Sequence, residues 1–213
     1  MLPKEINAIF EEYSEDDYDL WVTKVDNSSD DFVFDFLLEV QNINDNGPIT
    51  QEWSIIAVGH RVSKLTFGFE STLEIKEDHP LLWEYTDTQC QLYYSGHCND
   101  IPKLYYDLYK THIQLFRNYK HFDLSFGENI SQYKPFQYDS GLLSQGSKKL
   151  MLQYADCLKK NGLDFTIIGE RPATYWNGHE YLLQNKDLKI LFFGDDYMIA
   201  KEFSFVQIMK NSR

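Results

Sequence analysis

The stretch that decides the fold is residues 32–40, which read Phe-Val-Phe-Asp-Phe-Leu-Leu-Glu-Val. Large apolar residues occupy every second position from Phe32 to Val40, and the positions between them hold Val33, Asp35, Leu37 and Glu39. Successive side chains of a β-strand point to opposite faces, so this alternation predicts a strand with one buried face.

Further strand-like runs lie on both sides of this stretch, at residues 19–25, 50–58, 61–69, 72–76 and 89–94. Their connectors are short and carry turn residues, as in residues 44–48, Asn-Asp-Asn-Gly-Pro. Consecutive strands joined by short polar connectors predict an antiparallel β-meander.

Helical periodicity appears in three places. Ile6, Ile9, Phe10 and Tyr13 follow the spacing of one helix face and predict a short helix over residues 4–13. Similar apolar stripes predict helices over residues 100–118 and 147–161. The first of these follows a capping Asn99 or Asp100, and the second precedes a glycine at position 162.

The C-terminal part returns to strands, which are predicted at residues 164–169, 187–193 and 197–208. A turn at residues 194–196 makes the last two of these strands a β-hairpin. Residues 119–146, with three glycines and a proline, predict a long surface loop.

This order of elements predicts an α+β fold: a short N-terminal helix and an antiparallel β-meander, followed by two helices and a C-terminal β-hairpin. A length of 213 residues suits one domain, and no flexible linker interrupts the chain. A single α+β domain over residues 1–213 is therefore predicted, while a division into two sub-domains near residue 98 stays open.

The charge is strongly negative and unevenly distributed. The net charge is −13, and residues 1–50 hold thirteen acidic residues against Lys4 and Lys24. Nucleic-acid binding depends on Lys and Arg that displace counterions from phosphates, so the charge argues against a nucleic-acid partner. Two roles for this charge remain open: binding of a basic partner protein, or simply solubility.

Motifs for the common enzyme classes are absent. The chain has no glycine-rich phosphate loop, no nucleophile elbow and no zinc-binding His-Glu-x-x-His helix. Cys90, His97 and Cys98 lack the paired spacing of a zinc site, and no acidic pair has the cadence of a calcium loop. The sequence therefore predicts no catalytic residue, no metal site and no cofactor, and it leaves open whether a site assembled from distant residues exists.

The cysteines and the N-terminus bear on location. Cys90, Cys98 and Cys157 form an odd set without framework spacing, which predicts reduced thiols. No apolar run is long enough for a membrane helix, and the first residues do not resemble a secretory signal. We therefore expect a cytoplasmic protein that does not bind membranes. The oligomeric state is not predicted.

Two groups of residues are candidates for partner binding. Residues 171–181 place Arg, Tyr, Trp and His in one connector, and these residue types are enriched at binding hot spots. An alternative for this connector is that Trp176 folds back to cover the core. The second group consists of acidic pairs near the N-terminus. The candidates are Arg171, Tyr175, Trp176, His179, Asp16, Asp17, Asp30 and Asp31.

Three functions remain open. The first is an acidic interaction module of the inhibitor or immunity type that binds a basic partner; the analogy with toxin-immunity proteins is one of composition only. The second is an enzyme or small-ligand-binding protein. It requires residues such as His97, His112, His121, His179 and Arg171 to converge in one cleft with carboxylates. The third is a structural subunit of a larger assembly, which would expose a large apolar patch.

Overall fold

The computed structural model describes residues 1–27, 31–41, 49–66, 68–126, 136, 138–176, 178–184 and 187–208. The α-helices are α1 (Lys4–Glu12), α2 (Trp83–Thr86), α3 (Ile101–Phe116) and α4 (Lys148–Lys160), with 3-10 helices at Pro80–Leu82 and Asp123–Ser125. The strands are β1 (Tyr18–Asp26), β2 (Phe32–Val40), β3 (Ile49–Val58), β4 (Val62–Lys64), β5 (Phe69–Glu70), β6 (Leu73–Lys76), β7 (Gln89–Ser95), β8 (Ser140–Ser147), β9 (Asp164–Arg171), β10 (Thr174–Trp176), β11 (Tyr181–Leu183), β12 (Lys189–Phe193), β13 (Asp196–Ala200) and β14 (Glu202–Gln207). The predicted α+β class is confirmed.

The chain divides into two compact units. The first unit consists of Met1–Asp78 and Asp187–Arg213, and the second of His79–Lys186. Residue 98, where the sequence left a division open, lies inside the second unit. The prediction of one domain over residues 1–213 stays a prediction.

The first unit is built from two antiparallel sheets and α1. One sheet has the order β14-β3-β2-β1-β5, and the other has the order β4-β13-β12-β6. The meander predicted from the sequence is confirmed for β1, β2 and β3, which pair in succession. The predicted hairpin of β12 and β13 is also confirmed, and its turn contains Gly194 with a φ of 57°.

The core of the first unit is aromatic. Phe34 and Phe36 of β2 point inward and meet Phe193 of β12 edge-on, with ring centroids 6.0 and 5.5 Å apart. Ile6 and Ile9 of α1 belong to the same buried cluster. The alternation in residues 32–40 therefore has the expected consequence, because every second side chain of β2 enters this core.

Two long strands predicted in the first unit are each divided. Residues 61–69 form β4 and β5, which lie in different sheets. Between them the backbone N–H and the hydroxyl of Thr66 donate to the buried carboxylate of Asp196, which holds this segment away from a continuous strand. Residues 197–208 likewise form β13 and β14, and the chain passes from one sheet to the other at Lys201.

In the second unit α4 packs on the three-stranded sheet β8-β7-β9, and α3 packs against α4. Both predicted helices are confirmed, and each ends within two residues of its expected bounds. The loop predicted for residues 119–146 is wrong for the part that forms β8. Residues 140–147 contain no β-branched or aromatic residue, so their strand conformation depends on pairing with β7 and is not visible in their own pattern.

The start of α4 offers a direct test of this local structure. The Ser147 hydroxyl is buried and accepts a hydrogen bond from the Leu150 N–H over 3.2 Å. We expect Ser147→Ala to lower the free energy of unfolding by about 1 kcal/mol, because loss of the cap leaves a backbone N–H without its acceptor. Urea denaturation followed by circular dichroism measures this loss. The control Ser95→Ala, at an exposed strand end, should change stability by less than about 0.5 kcal/mol. Equal losses would contradict the capping role.

Candidate functional site

The five-stranded sheet has a second face, opposite the aromatic core, which we call the outer face. It is formed by the side chains of β1, β2, β3 and β14 that point away from the core, and none of those described is buried. Its acidic members are Asp19, Asp26, Asp35, Glu39, Glu52 and Glu202, and its apolar members are Trp21, Val33, Leu37, Ile56, Val58 and Val206.

Strand register brings these side chains into contiguous rows. Asp19 of β1 lies opposite Glu39 of β2. In the next row Trp21 lies opposite Leu37, which in turn lies opposite Glu52 of β3. Neighbouring strands are about 4.8 Å apart, so the carboxylates and the apolar side chains form one mixed surface.

The electrostatics of the outer face are unfavourable to the isolated sheet. Asp19 and Glu39 are like charges in directly opposed positions, an arrangement that destabilises a β-sheet. Lys24 is the one cation among the outer-face residues described, and it lies opposite Asp35. The outer face therefore has an excess of negative charge, which a cationic surface could neutralise.

An aromatic pair borders the outer face. The ring of Trp21 contacts that of Phe69 in β5 edge-on, with centroids 5.5 Å apart, and Phe69 is 76% exposed. Exposed aromatic rings offer apolar area that a partner can bury, and the face of a tryptophan ring attracts cations.

The division into units separates the charge completely. The second unit holds eleven Lys and Arg residues and eleven Asp and Glu residues, so the net charge of −13 belongs to the first unit alone. The sequence analysis located most of this charge in residues 1–50. The structure adds that four of those acidic residues, Asp19, Asp26, Asp35 and Glu39, share the outer face.

The acidic candidates from the sequence lie elsewhere. The Asp17 carboxylate accepts hydrogen bonds from the N–H and the hydroxyl of Ser14, which closes the turn before β1. Asp16 is exposed in that turn, and Asp31 is half-buried next to the start of β2. Asp30 lies outside the described residues. These residues border strands, whereas the outer-face carboxylates lie on them.

The candidates from the 171–181 connector belong to the second unit. Arg171 ends β9, Tyr175 and Trp176 belong to β10, and exposed His179 lies in the turn before β11. Trp176 is 56% exposed and packs against Tyr181 across the hairpin, so it does not cover the core. The two groups of candidates therefore lie in different units.

The histidines named for an enzymatic site differ in their environments. His97, His121 and His179 are exposed, whereas His112 is fully buried. The His112 Nε2–H donates to the Lys120 carbonyl, and its Nδ1 accepts from the Tyr154 hydroxyl, both over 2.8 Å. Burial lowers the pKa of this imidazole. His112 is therefore a neutral structural residue.

The cysteines lack the character of nucleophiles. All three are buried and unpaired. Burial raises the pKa of the Cys90 thiol and that of the Cys157 thiol, so both favour the protonated form. Among the residues described, no group of three or more His, Cys, Asp or Glu side chains could hold a metal ion.

One cavity of about 410 Å³ opens on the three-stranded sheet of the second unit. It is lined by Gln89, Cys90, Gln91, Gln145, Gly146, Gly169 and Arg171. Arg171 is therefore the one residue of the proposed convergent set that lines it, and this described lining contains no histidine and no carboxylate.

No helix in the described part of the chain is both long and apolar enough to cross a membrane. Comparisons with protein-family models, with curated proteins and with solved structures find no match for this chain.

Proposed function

We propose that this protein is an acidic protein-interaction module that binds a basic partner through the outer face, in the manner of an inhibitor or immunity protein. The observation that carries the proposal is the composition of that face, where six carboxylates lie among half-buried and exposed apolar side chains and one lysine. Scattered carboxylates serve solubility, but carboxylates interleaved with tryptophan, leucine and isoleucine suit a surface that becomes buried.

The two kinds of side chain contribute to different steps of binding. Negative potential attracts a cationic partner and raises the association rate, which is why the interaction should depend on salt. Burial of apolar side chains such as Trp21 and Leu37 slows dissociation. Binding should stabilise the like-charge pair of Asp19 and Glu39 most, because a cation placed between the two carboxylates replaces their repulsion with attraction.

The remaining features agree with this role. A field of this sign repels phosphate backbones, so nucleic acid is not the partner we propose. The three unpaired cysteines support a reducing compartment, and we place the protein in the cytoplasm.

A capture experiment with two variants of equal charge tests the proposal. The face variant carries D19N, D35N, E39Q and E52Q, and the control variant carries E5Q, E11Q, E12Q and E15Q, all exposed and off the sheet. We expect the immobilised chain and the control variant to retain a basic protein from the native host, and the face variant to lose it. Retention should fall as salt rises from about 0.1 to about 1 M, since the Debye length shrinks from about 10 to about 3 Å.

Two results would contradict this binding mode. If both variants lose the partner equally, net charge rather than the outer face determines binding. If retention ignores salt, the partner is not held by charge. The same capture with Trp176→Ala tests the prediction that the hairpin also contributes: weaker retention would place Trp176 in the contact, and unchanged retention would restrict the contact to the first unit.

A further inference from the structure

The cavity of the second unit exists because the strand pairing is irregular at this point. β7 and β9 change register between Gln89 and Gln91, so that Gly169 and Glu170 bulge opposite Cys90. Gly169 has a φ of 69°, a left-handed conformation that a glycine adopts without strain. On the other side of Cys90 lies Gly146 of β8. Two residues without side chains therefore flank the same point of β7 and leave room above it.

The polar groups of the cavity are partly fixed in place. The Gln89 amide nitrogen donates to the carbonyls of Trp83, Glu84 and Asp87 over 3.1–3.3 Å, which anchors that side chain beside the cavity. The Tyr93 hydroxyl donates to the Gln91 side-chain oxygen over 3.5 Å, which leaves the Gln91 amide nitrogen available to a ligand.

Arg171 supplies the charge. Glu170, its neighbour in the sequence, is already paired with Lys148, whose Nζ lies 2.7 Å from the Glu170 Oε1. Among the described residues, the side chain of Arg171 takes part in no ion pair and no hydrogen bond. Arg171, whose guanidinium carries five donors, thus lines a cavity whose other lining residues are three glutamines, two glycines and Cys90.

We propose that this cavity binds a small polar monocarboxylate, independently of the protein-binding role of the first unit. The Arg171 fork matches both oxygens of a carboxylate, and the amide nitrogens of Gln91 and Gln145 donate to the polar body of the ligand. The volume lies within the range of small-molecule sites. One guanidinium balances one negative charge, and the described lining offers no second cation for another charge on the ligand.

Nuclear magnetic resonance tests this site with N-acetylglycine as the probe. We expect saturable shifts of the Gly146 and Gly169 amide signals, because both residues line the cavity. The uncharged N-acetylglycinamide should produce no saturable shift, and inorganic phosphate should bind more weakly than N-acetylglycine. Arg171→Gln should lower the affinity for N-acetylglycine by about tenfold or more, as expected for loss of a charge-assisted hydrogen bond.

Two more variants make the test specific. Gln145→Glu places a negative charge in the lining and should lower the affinity for N-acetylglycine. The control Lys110→Gln removes a cation from an exposed position on α3 and should leave that affinity unchanged. The proposal is overturned if N-acetylglycine moves neither glycine signal, if phosphate binds as tightly, or if Arg171→Gln binds the probe like the wild-type chain. None of these results depends on whether the outer face binds a basic protein.

Discussion

Replacing Phe193 by alanine is expected to lower the free energy of unfolding of the first unit by about 3–5 kcal/mol. The side chain is fully buried and meets Phe34 and Phe36 edge-on, so its removal leaves a cavity between two sheets. The surrounding side chains come from paired strands and cannot move together to fill it. Urea denaturation measures the loss in a background with Trp83→Phe and Trp176→Phe, so that tryptophan fluorescence reports on Trp21 and Trp53 of the first unit.

Phe69 provides a matched control for this substitution. Phe69→Ala removes the same atoms from a 76% exposed position, where the contact with Trp21 is the principal loss. We expect it to cost less than about 1.5 kcal/mol. Similar losses at both positions would show that the three inward phenylalanines do not form the core of this unit.

Replacing His112 by alanine is expected to destabilise the second unit by about 2–6 kcal/mol. The substitution removes the hydrogen bonds of the imidazole to the Tyr154 hydroxyl and to the Lys120 carbonyl, and loss of a partner costs about 1–3 kcal/mol for each group. His112 connects α3 to α4 through Tyr154 and to the following segment through Lys120. Hydrogen exchange of the α3 and α4 amides would show the loss in this unit.

The pH dependence separates this role from simple packing. Burial lowers the pKa of His112 in the folded chain, so below about pH 6.5 the unfolded chain takes up a proton that the folded chain resists. The contribution is fully present above that pH and is lost as the pH falls toward the folded pKa, by at most about 1.4 kcal/mol per pH unit.

Comparison with His112→Gln isolates this contribution. The stability difference between the wild-type chain and this variant should be largest at pH 7.5 and should shrink at pH 5.5, because only the wild-type chain carries the titrating imidazole. His97→Gln, at an exposed position, should show no such trend. A difference that stays constant over this pH range would contradict a neutral, buried His112.

Local pattern was enough to predict most elements of this fold. The alternation in residues 32–40 identified the central strand, and the stripes of α3 and α4 located both long helices, because each pattern matches the period of its own element. Where a distant residue intervenes, the local pattern is insufficient. The division of residues 61–69 depends on Asp196, which is 130 positions from Thr66.

The candidate surfaces show the same contrast. The carboxylates Asp35 and Glu39 alternate with the core phenylalanines, so their common face follows from periodicity alone. The opposition of Asp19 and Glu39 could not be predicted, because it requires the register of two strands. Predicting the cavity would require the pairing of three strands that are far apart in the sequence, because Gln91, Gln145 and Arg171 each come from a different one.

The separation of charge between the units suggests a division of roles. An acidic unit with a mixed carboxylate and apolar sheet face suits a basic macromolecule, whereas a neutral unit with an arginine-lined cavity suits a small anion. The proposed binding of a basic partner depends only on the first of these units.

Carboxyl footprinting of the complex tests that binding most directly. Carbodiimide coupling of glycine ethyl ester labels accessible Asp and Glu side chains, and mass spectrometry compares the free chain with the chain bound to its captured partner. We expect the partner to reduce labelling of Asp35, Glu39 and Glu52, and to leave Glu11 and Glu12 of α1 labelled as before. Protection confined to residues off the outer face, with Asp35, Glu39 and Glu52 labelled equally in both states, would contradict the account.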